Sequence, residues 1–279
     1  MLQQRVITAI VLLALLLPAL LAATAEPLAG LTLVLMAAGA WEWGRLNGYA
    51  MRGSLRLAAV CLILCLITWQ QRWAYQISWD VWTPVGGAWV LLGAWLMRRG
   101  VPVWGDIPRG VRTVVGLLVL WFAWWALYQA KVMGVNFLLS VLTLVWMADI
   151  AAYFAGRAFG KRKLALHISP GKSWEGVWGG MVGVLLMAVV WCWADTQWPM
   201  DSLSLYSQLA ERGWAYMVLA TLFLVAMSVV GDLVESLVKR SAGMKDSSRL
   251  LPGHGGVLDR VDALLPTLPL ALMLVRVPA

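Results

Sequence analysis

Polar positions along this chain gather between long apolar runs instead of alternating with them. Nine such runs can be drawn, at about 6–23, 28–44, 57–69, 81–97, 111–130, 135–155, 177–194, 214–231 and 261–277. Most approach the roughly 20 residues that a helix needs to cross a hydrocarbon core. The third is short and reads as partly interfacial, and the ninth is interrupted by Pro266 and Pro269. Prolines are tolerated in spanning helices where neighbours satisfy the freed carbonyls. The pattern predicts an all-α fold, a polytopic integral membrane helical bundle of about nine transmembrane helices. It reads as a single membrane domain over 1–279, with N-terminal helices in 1–134 and the chemistry-bearing helices and loops in 135–279. The first run follows Arg5 like the apolar part of a signal peptide, but without a convincing small-x-small cleavage site, so an uncleaved span is expected.

Composition agrees. Hydrophobic residues make up 61% of the chain and charged ones 13%, with a mean hydropathy of +0.77. Soluble domains carry about 25% charged residues. Cys61, Cys65 and Cys192 all lie inside apolar runs and read as packing residues, neither a disulfide framework nor a metal site. Tryptophan is abundant, with 19 residues, and interfacial anchoring accounts for part of that number.

Charge then orients the spans. With a cytoplasmic N-terminus and nine alternating segments, all but Arg72, Lys131, Arg212 and Arg276 of the 22 basic residues fall on the cytoplasmic side. This is the asymmetry of the positive-inside rule. The early basic groups, including Arg45, Arg98, Arg99, Arg109 and Arg112, read as topological determinants. The later ones are interleaved with acids, serines, glycines and both histidines, which suggests chemistry.

Acids near membrane depth are costly and need a reason. Glu26, Asp80, Asp195, Asp201 and Glu211 are expected in outer loops and need none. Asp149 lies in an apolar run with Tyr153 and Gly156 on the same helical face. It is either a partner for a basic residue on another helix or part of a site. Ser169-Pro-Gly-Lys-Ser-Trp-Glu-Gly176 imitates the end of a P-loop, but Leu166 stands where the loop needs its first glycine and no strand is expected before it. What remains is Lys172 and Ser173 near a helix N-terminus, where N–H groups favour phosphate, or else an interfacial turn with a snorkelling lysine. Further on, Asp232, Glu235, Ser236 and Lys239 share one helical face. Asp259 and Asp262 are one turn apart, so both carboxylates can face one cation. A glycine-rich turn, Leu251-Pro-Gly-His-Gly-Gly256, allows close backbone approach to a ligand. Carboxylates without a cysteine cluster or a histidine pair suit a hard cation such as Mg²⁺ rather than zinc. Together with the lysines and arginines, they are equipment for handling phosphates. The bland alternative is an ion-pair network that caps two helices. His254 reads either as a general base or phosphate contact, or as a backbone-bonded turn residue; His167 reads as an exposed loop residue.

The stretch Ser236-Leu-Val-Lys-Arg, four residues, Lys245-Asp-Ser-Ser, two residues, Leu251-Pro-Gly-His-Gly-Gly-Val-Leu-Asp-Arg-Val-Asp262 resembles the signature of phosphatidate cytidylyltransferases of the bacterial type, also called CDP-diacylglycerol synthases. The resemblance extends to Asp149-Ile-Ala-Ala-Tyr-Phe-Ala-Gly-Arg157, to Ser169–Gly176 and, less specifically, to Ala40-Trp-Glu-Trp-Gly-Arg-Leu46. It implies an Mg²⁺-dependent nucleotidyl transfer in phospholipid biosynthesis. CTP and phosphatidate would give CDP-diacylglycerol and pyrophosphate, in a bacterial cytoplasmic (inner) membrane with the site facing the cytoplasm. The partners implied are CTP, phosphatidate and the lipid bilayer, with no nucleic acid; a second cation and a homodimer are left open. The expected metal residues are Asp149, Asp232, Asp259 and Asp262. Lys172, Ser173, Ser236, Arg240, Lys245, Gly255 and Gly256 are expected to bind substrate, and Lys239, Asp246, His254 and Arg260 to serve catalysis. Rival readings are an ion-coupled transporter with Asp149, Asp232 and Asp262 on its path, and a CTP-dependent lipid kinase.

Overall fold

A computed structural model describes residues 2–76 and 79–275, with side chains from residue 6 onward except at 79. The side chain of Arg5, Arg276 and the end of the ninth apolar run lie outside the described residues. The helices are α1 (Leu2–Leu21), α2 (Glu26–Leu46), α3 (Met51–Gln70), α4 (Trp82–Arg99), α5 (Pro102–Asp106), α6 (Arg109–Met133) and α7 (Val135–Phe159), then α8 (Trp174–Gln197), α9 (Leu205–Ala210), α10 (Trp214–Ser241), α11 (Leu258–Val261) and α12 (Leu264–Leu274). Each of the nine apolar runs coincides with a helix. Five of them among the described residues, α3, α6, α7, α8 and α10, are long and apolar enough to cross a membrane. The architecture is therefore a membrane helical bundle, and the full count of nine spans goes beyond this. The third run departs from expectation: it extends back to Met51 and belongs to the spanning class. The ninth is only an 11-residue helix, and most of its side chains are enclosed. A second departure is a two-stranded antiparallel hairpin, β1 (Lys163–Ala165) and β2 (Ser169–Ser173), which leads directly into α8. Runs of apolar side chains on α8, such as Val182, Leu186, Val189 and Val190, point outward and are exposed. That is what a lipid-facing surface requires and a water-facing one forbids.

Small residues set the closest helix pair. Gly176, Gly179, Gly180 and Gly183 of α8 recur at helical spacing and meet Ala148, Ala151, Ala152, Ala155 and Gly156 of α7. A Cβ at Gly179 would stand 2.2 Å from Ala155 Cβ, and one at Gly183 2.7 Å from Ala151 Cβ. In lipid, where hydrophobicity does not drive helices together, such backbone approach supplies the packing energy. Gly179→Leu should therefore lower thermal stability in detergent and reduce activity. A Leu at neighbouring, exposed Trp178 should leave both unchanged.

The core is built around α6, and tryptophan has a larger part in it than interfacial anchoring suggests. Trp82 and Trp124 are fully buried. Their indole N–H groups donate to Gln129 Oε1 (3.1 Å) and to the Ala29 carbonyl (3.0 Å). Trp121 donates to Thr68 (2.8 Å) and Trp43 to the Arg112 carbonyl (3.0 Å). Large apolar bodies fill the bundle while each N–H ties one helix to another. At the end of the bundle opposite the phosphate-handling motifs, Asp195 and Asp201 are more than loop acids. Asp201 accepts the Val135 and Asn136 N–H groups at the start of α7, and Asp195 accepts from Asn136 (2.8 Å) and Ser207 (2.6 Å). Burial pushes the Asp201 carboxyl up, but those N–H donors, Ser202 and Lys131 outweigh it and hold it below its usual range.

Candidate active site

Five pieces of chain converge at one end of the bundle: the ends of α2, α7 and α10, the β2–α8 junction, and the loop 242–257 with α11. Gly231 explains how α10 and the chain entering α12 come so close. A Cβ there would lie 2.5 Å from the Asp262 carbonyl oxygen and 2.8 Å from Pro266 Cδ. This brings Asp262 within electrostatic reach of Asp232, Lys239 and Lys172. Lys172, at the end of β2, forms an ion pair with Asp232 at 2.6 Å. Asp149, on α7, feels both Lys172 and Asp232. Asp149, Lys172, Asp232 and Asp262 therefore form one charged cluster drawn from four elements.

The shared face on α10 is also present. Ser236 Oγ donates to Asp232 (3.3 Å), and Lys239 pairs with Glu235 at 2.5 Å and with Asp259 at 2.6 Å. Glu235 is buried, and its Oε1 has no hydrogen-bond partner. Asp259 is a hub of the loop. Its Oδ1 takes the Lys239 ammonium, and its Oδ2 accepts Ser247 N–H (2.9 Å) and Gly256 N–H (2.8 Å), with the Ser247 hydroxyl at 2.8 Å. Burial raises this carboxyl, but Lys239 and the loop donors prevail and hold it below the usual carboxylate range. Both oxygens are thus engaged inside the protein. Among the described residues, no three acidic, histidine or cysteine side chains converge as a ready-made metal set. Instead, the ammonium groups of Lys172 and Lys239 stand among the carboxylates.

Several expected substrate residues take other positions here. Ser173 caps α8, accepting Gly176 N–H at 3.2 Å, while its O–H and second lone pair stay available. Glu175, in the first turn of α8, accepts the Lys161 and Arg162 N–H groups and anchors the hairpin. Arg240 reaches across to the Ile168 carbonyl (3.3 Å) and so links α10 to the hairpin. Lys245 and Asp246 are exposed on the loop. His254 sits in the tight turn closed by Leu251 and Gly255; its N–H donates to the Leu251 carbonyl, and its carbonyl accepts Arg260 Nε at 2.9 Å. These are main-chain bonds, and its imidazole Nδ1 is buried without a partner. Gly255 has φ +84°, a left-handed conformation that glycine supplies without strain.

The residue that sequence reasoning left without a role is Glu42, on α2. It is fully buried and accepts Ser248 Oγ (2.5 Å), Val257 N–H (2.9 Å) and Leu258 N–H (2.8 Å), with Ser247 Oγ at 3.2 Å. A Cβ at Gly256 would stand 2.3 Å from its Oε1, so only glycine lets the loop close over it. One carboxylate from the N-terminal helices thereby caps α11 and fixes the loop that carries Asp259 and Asp262. The signal was an acid inside an apolar run, which ought to prompt the search for a partner.

Fold and site together define a membrane protein whose charged centre, at one end of a helical bundle, is equipped for phosphate chemistry. Sequence comparison sharpens this. Residues 3–277 match the Cytidylyltransferase family, and the chain belongs to that family. It is 40% identical over 275 residues to a phosphatidate cytidylyltransferase of Pseudomonas aeruginosa, covering 96% of this chain and 95% of that one. It is also 37% identical to the phosphatidate cytidylyltransferase of Brucella suis over 81% of this chain and 68% of the other. A shorter match, 48% identical, covers 49% of this chain and 44% of the Haemophilus influenzae phosphatidate cytidylyltransferase.

Proposed function

We propose that the chain transfers a cytidylyl group from CTP to phosphatidate, releasing pyrophosphate and forming CDP-diacylglycerol, at the cytoplasmic face of a bacterial inner membrane. Full-length similarity to proteins of that name supports the reading. The single structural observation that carries it is the gathering of Asp149, Lys172, Asp232, Lys239 and Asp262 at one bundle end. A phosphate oxygen of the lipid attacks the α-phosphorus of CTP, and the bond to the β-phosphate oxygen breaks, so that pyrophosphate leaves with the electron pair. Both reactants are anions. The work of the protein is therefore to neutralise charge and align the attack, since phosphoryl chemistry needs little covalent help.

The donor type, carboxylate oxygen without sulfur or imidazole, is that of a hard divalent cation; the carboxylates do not form a ready-made set and would have to draw together to share one. Asp149, Asp232 and Asp262 would hold Mg²⁺, which supplies charge neutralisation on the triphosphate. Lys172 and Lys239 have a second use once a phosphate enters, because each can exchange a carboxylate for a phosphate oxygen. Asp259, with both oxygens engaged, keeps Lys239 and the loop in place. Protein purified in detergent should release pyrophosphate only when CTP, phosphatidate and Mg²⁺ are all present, and EDTA should abolish release. Pyrophosphate release without phosphatidate, or full turnover in EDTA, would contradict the reading.

A further inference from the structure

A second feature lies on the other side of α10. A cavity of about 900 Å³ runs between α4 and α6, with α5 across one end and Gly231, Val234 and Glu235 of α10 as its floor. That is at the upper end of the roughly 300–1,000 Å³ of small-ligand pockets. Its lining is almost wholly apolar, and Leu91, Leu92, Trp95, Val111 and Leu118, which border it, are exposed on the outer surface of the bundle. The cavity thus opens sideways, into what would be hydrocarbon.

Its polar features are few: two unpartnered donors at one end and, on the floor, the Glu235 carboxylate, which Lys239 pairs. Trp104 lines it, is 3% exposed, and its buried indole N–H has no acceptor. Arg112, in the first turn of α6, also lines it, and its buried Nε is likewise without a partner. Arg98 and Arg99 close the last turn of α4, and Arg109 opens α6. An apolar slot whose polar end carries orphaned donors and arginines fits an anionic amphiphile: chains along the slot, headgroup at the donors. The floor supplies the connection to chemistry. Glu235 borders the cavity and pairs with Lys239, which pairs with Asp259 of the charged cluster.

We propose that this slot between α4 and α6 is the lateral entry and acyl-chain site for the phosphatidate substrate, with Arg112 and Trp104 receiving its phosphate on the way to the charged cluster. The inference rests on the cytidylyltransferase reading for the identity of the lipid. The arginines at these helix ends then do more than orient spans.

Two measurements test it. In the first, phosphatidate carrying a photoreactive diazirine in its acyl chain is irradiated with the full-length protein in nanodiscs, and labelled peptides are located by mass spectrometry. Labelling is expected on α4 and α6, suppressed by excess phosphatidate and not by phosphatidylethanolamine with the same chains. Labelling elsewhere, or equal suppression by both lipids, would overturn the proposal; equal suppression would mean a structural lipid slot. The second measurement uses kinetics. Val115→Trp, which narrows the slot, should raise the KM for long-chain phosphatidate about tenfold, leaving that for CTP and for dihexanoyl phosphatidate unchanged. Arg112→Gln should raise the KM for both lipids about tenfold and leave that for CTP unchanged. Unchanged lipid KM in both variants, or an equal rise for CTP, would also overturn it. Competed labelling of α4 and α6 in a protein that makes no CDP-lipid would sink the assigned reaction while leaving the lipid slot standing.

Discussion

Glu42→Ala should be the most damaging single substitution outside the charged cluster. Glu42 is fully buried and accepts from two backbone N–H groups and the Ser248 hydroxyl, with Ser247 Oγ 3.2 Å away. Without it, these donors are left in an enclosed space, at about 1–3 kcal/mol for each that stays unsatisfied. Because neighbouring losses are not additive, the expected net loss is roughly 3–5 kcal/mol, read as a lower thermal midpoint in detergent. Turnover should fall by more than the loss of folded protein explains. Glu42 sets the loop that carries Asp259 and Asp262, and displacing reacting groups by about 1 Å can cost roughly 10²-fold. Glu42→Gln keeps the volume and one acceptor, so it should show the kinetic defect with a smaller loss of stability. Normal activity in a folded Glu42→Gln protein would show that the loop does not depend on this anchor.

Asp262→Asn and Lys172→Met carry the second large expectation. Each removes one charge from a cluster in which Asp232 faces both lysine and aspartate. Loss of one preorganised electrostatic contact to a developing charge typically costs about 10²–10³-fold in rate, and loss of a metal carboxylate should cost at least that. Asp262→Asn should therefore reduce turnover by roughly 10³-fold, with a steeper Mg²⁺ requirement. Lys172→Met should reduce it by roughly 10²–10³-fold, with an unchanged Mg²⁺ requirement. Asp262→Asn should stay folded, since it relieves carboxylate repulsion, whereas Lys172→Met leaves Asp232 unpaired and should lower the thermal midpoint as well. Near-normal rates in both would remove the cluster from the chemistry.

What the sequence revealed, and what it hid, follows from range. Helices and the shared face of Asp232, Glu235, Ser236 and Lys239 are local, so periodicity exposes them. The membrane setting follows from run length, and the composite nature of the site from the placement of charged motifs on one side. Pairings across distant helices are not local. Nothing in the run 28–44 says that Glu42 meets a loop some two hundred residues later. Likewise, periodicity does not reveal that Ser173 caps a helix. Nor does it show that both Asp259 oxygens are taken by Lys239 and the loop. The third run illustrates a different limit. Arg52, Gly53, Ser54 and Arg56 interrupt its apolar pattern, yet the helix continues through them from Met51, because hydrogen bonding tolerates polar side chains that hydropathy rejects.

Nucleotidyl transfer carries the α-phosphorus of CTP, and not its γ-phosphorus, to the lipid. Parallel reactions of the detergent-purified protein with phosphatidate, Mg²⁺ and CTP labelled at either the α- or the γ-phosphate test it most directly. The expected result is α-label in the lipid product and γ-label in pyrophosphate, in equal amounts. Label from the γ-position in lipid would make the protein a kinase, and no label in lipid from either position would contradict nucleotidyl transfer altogether.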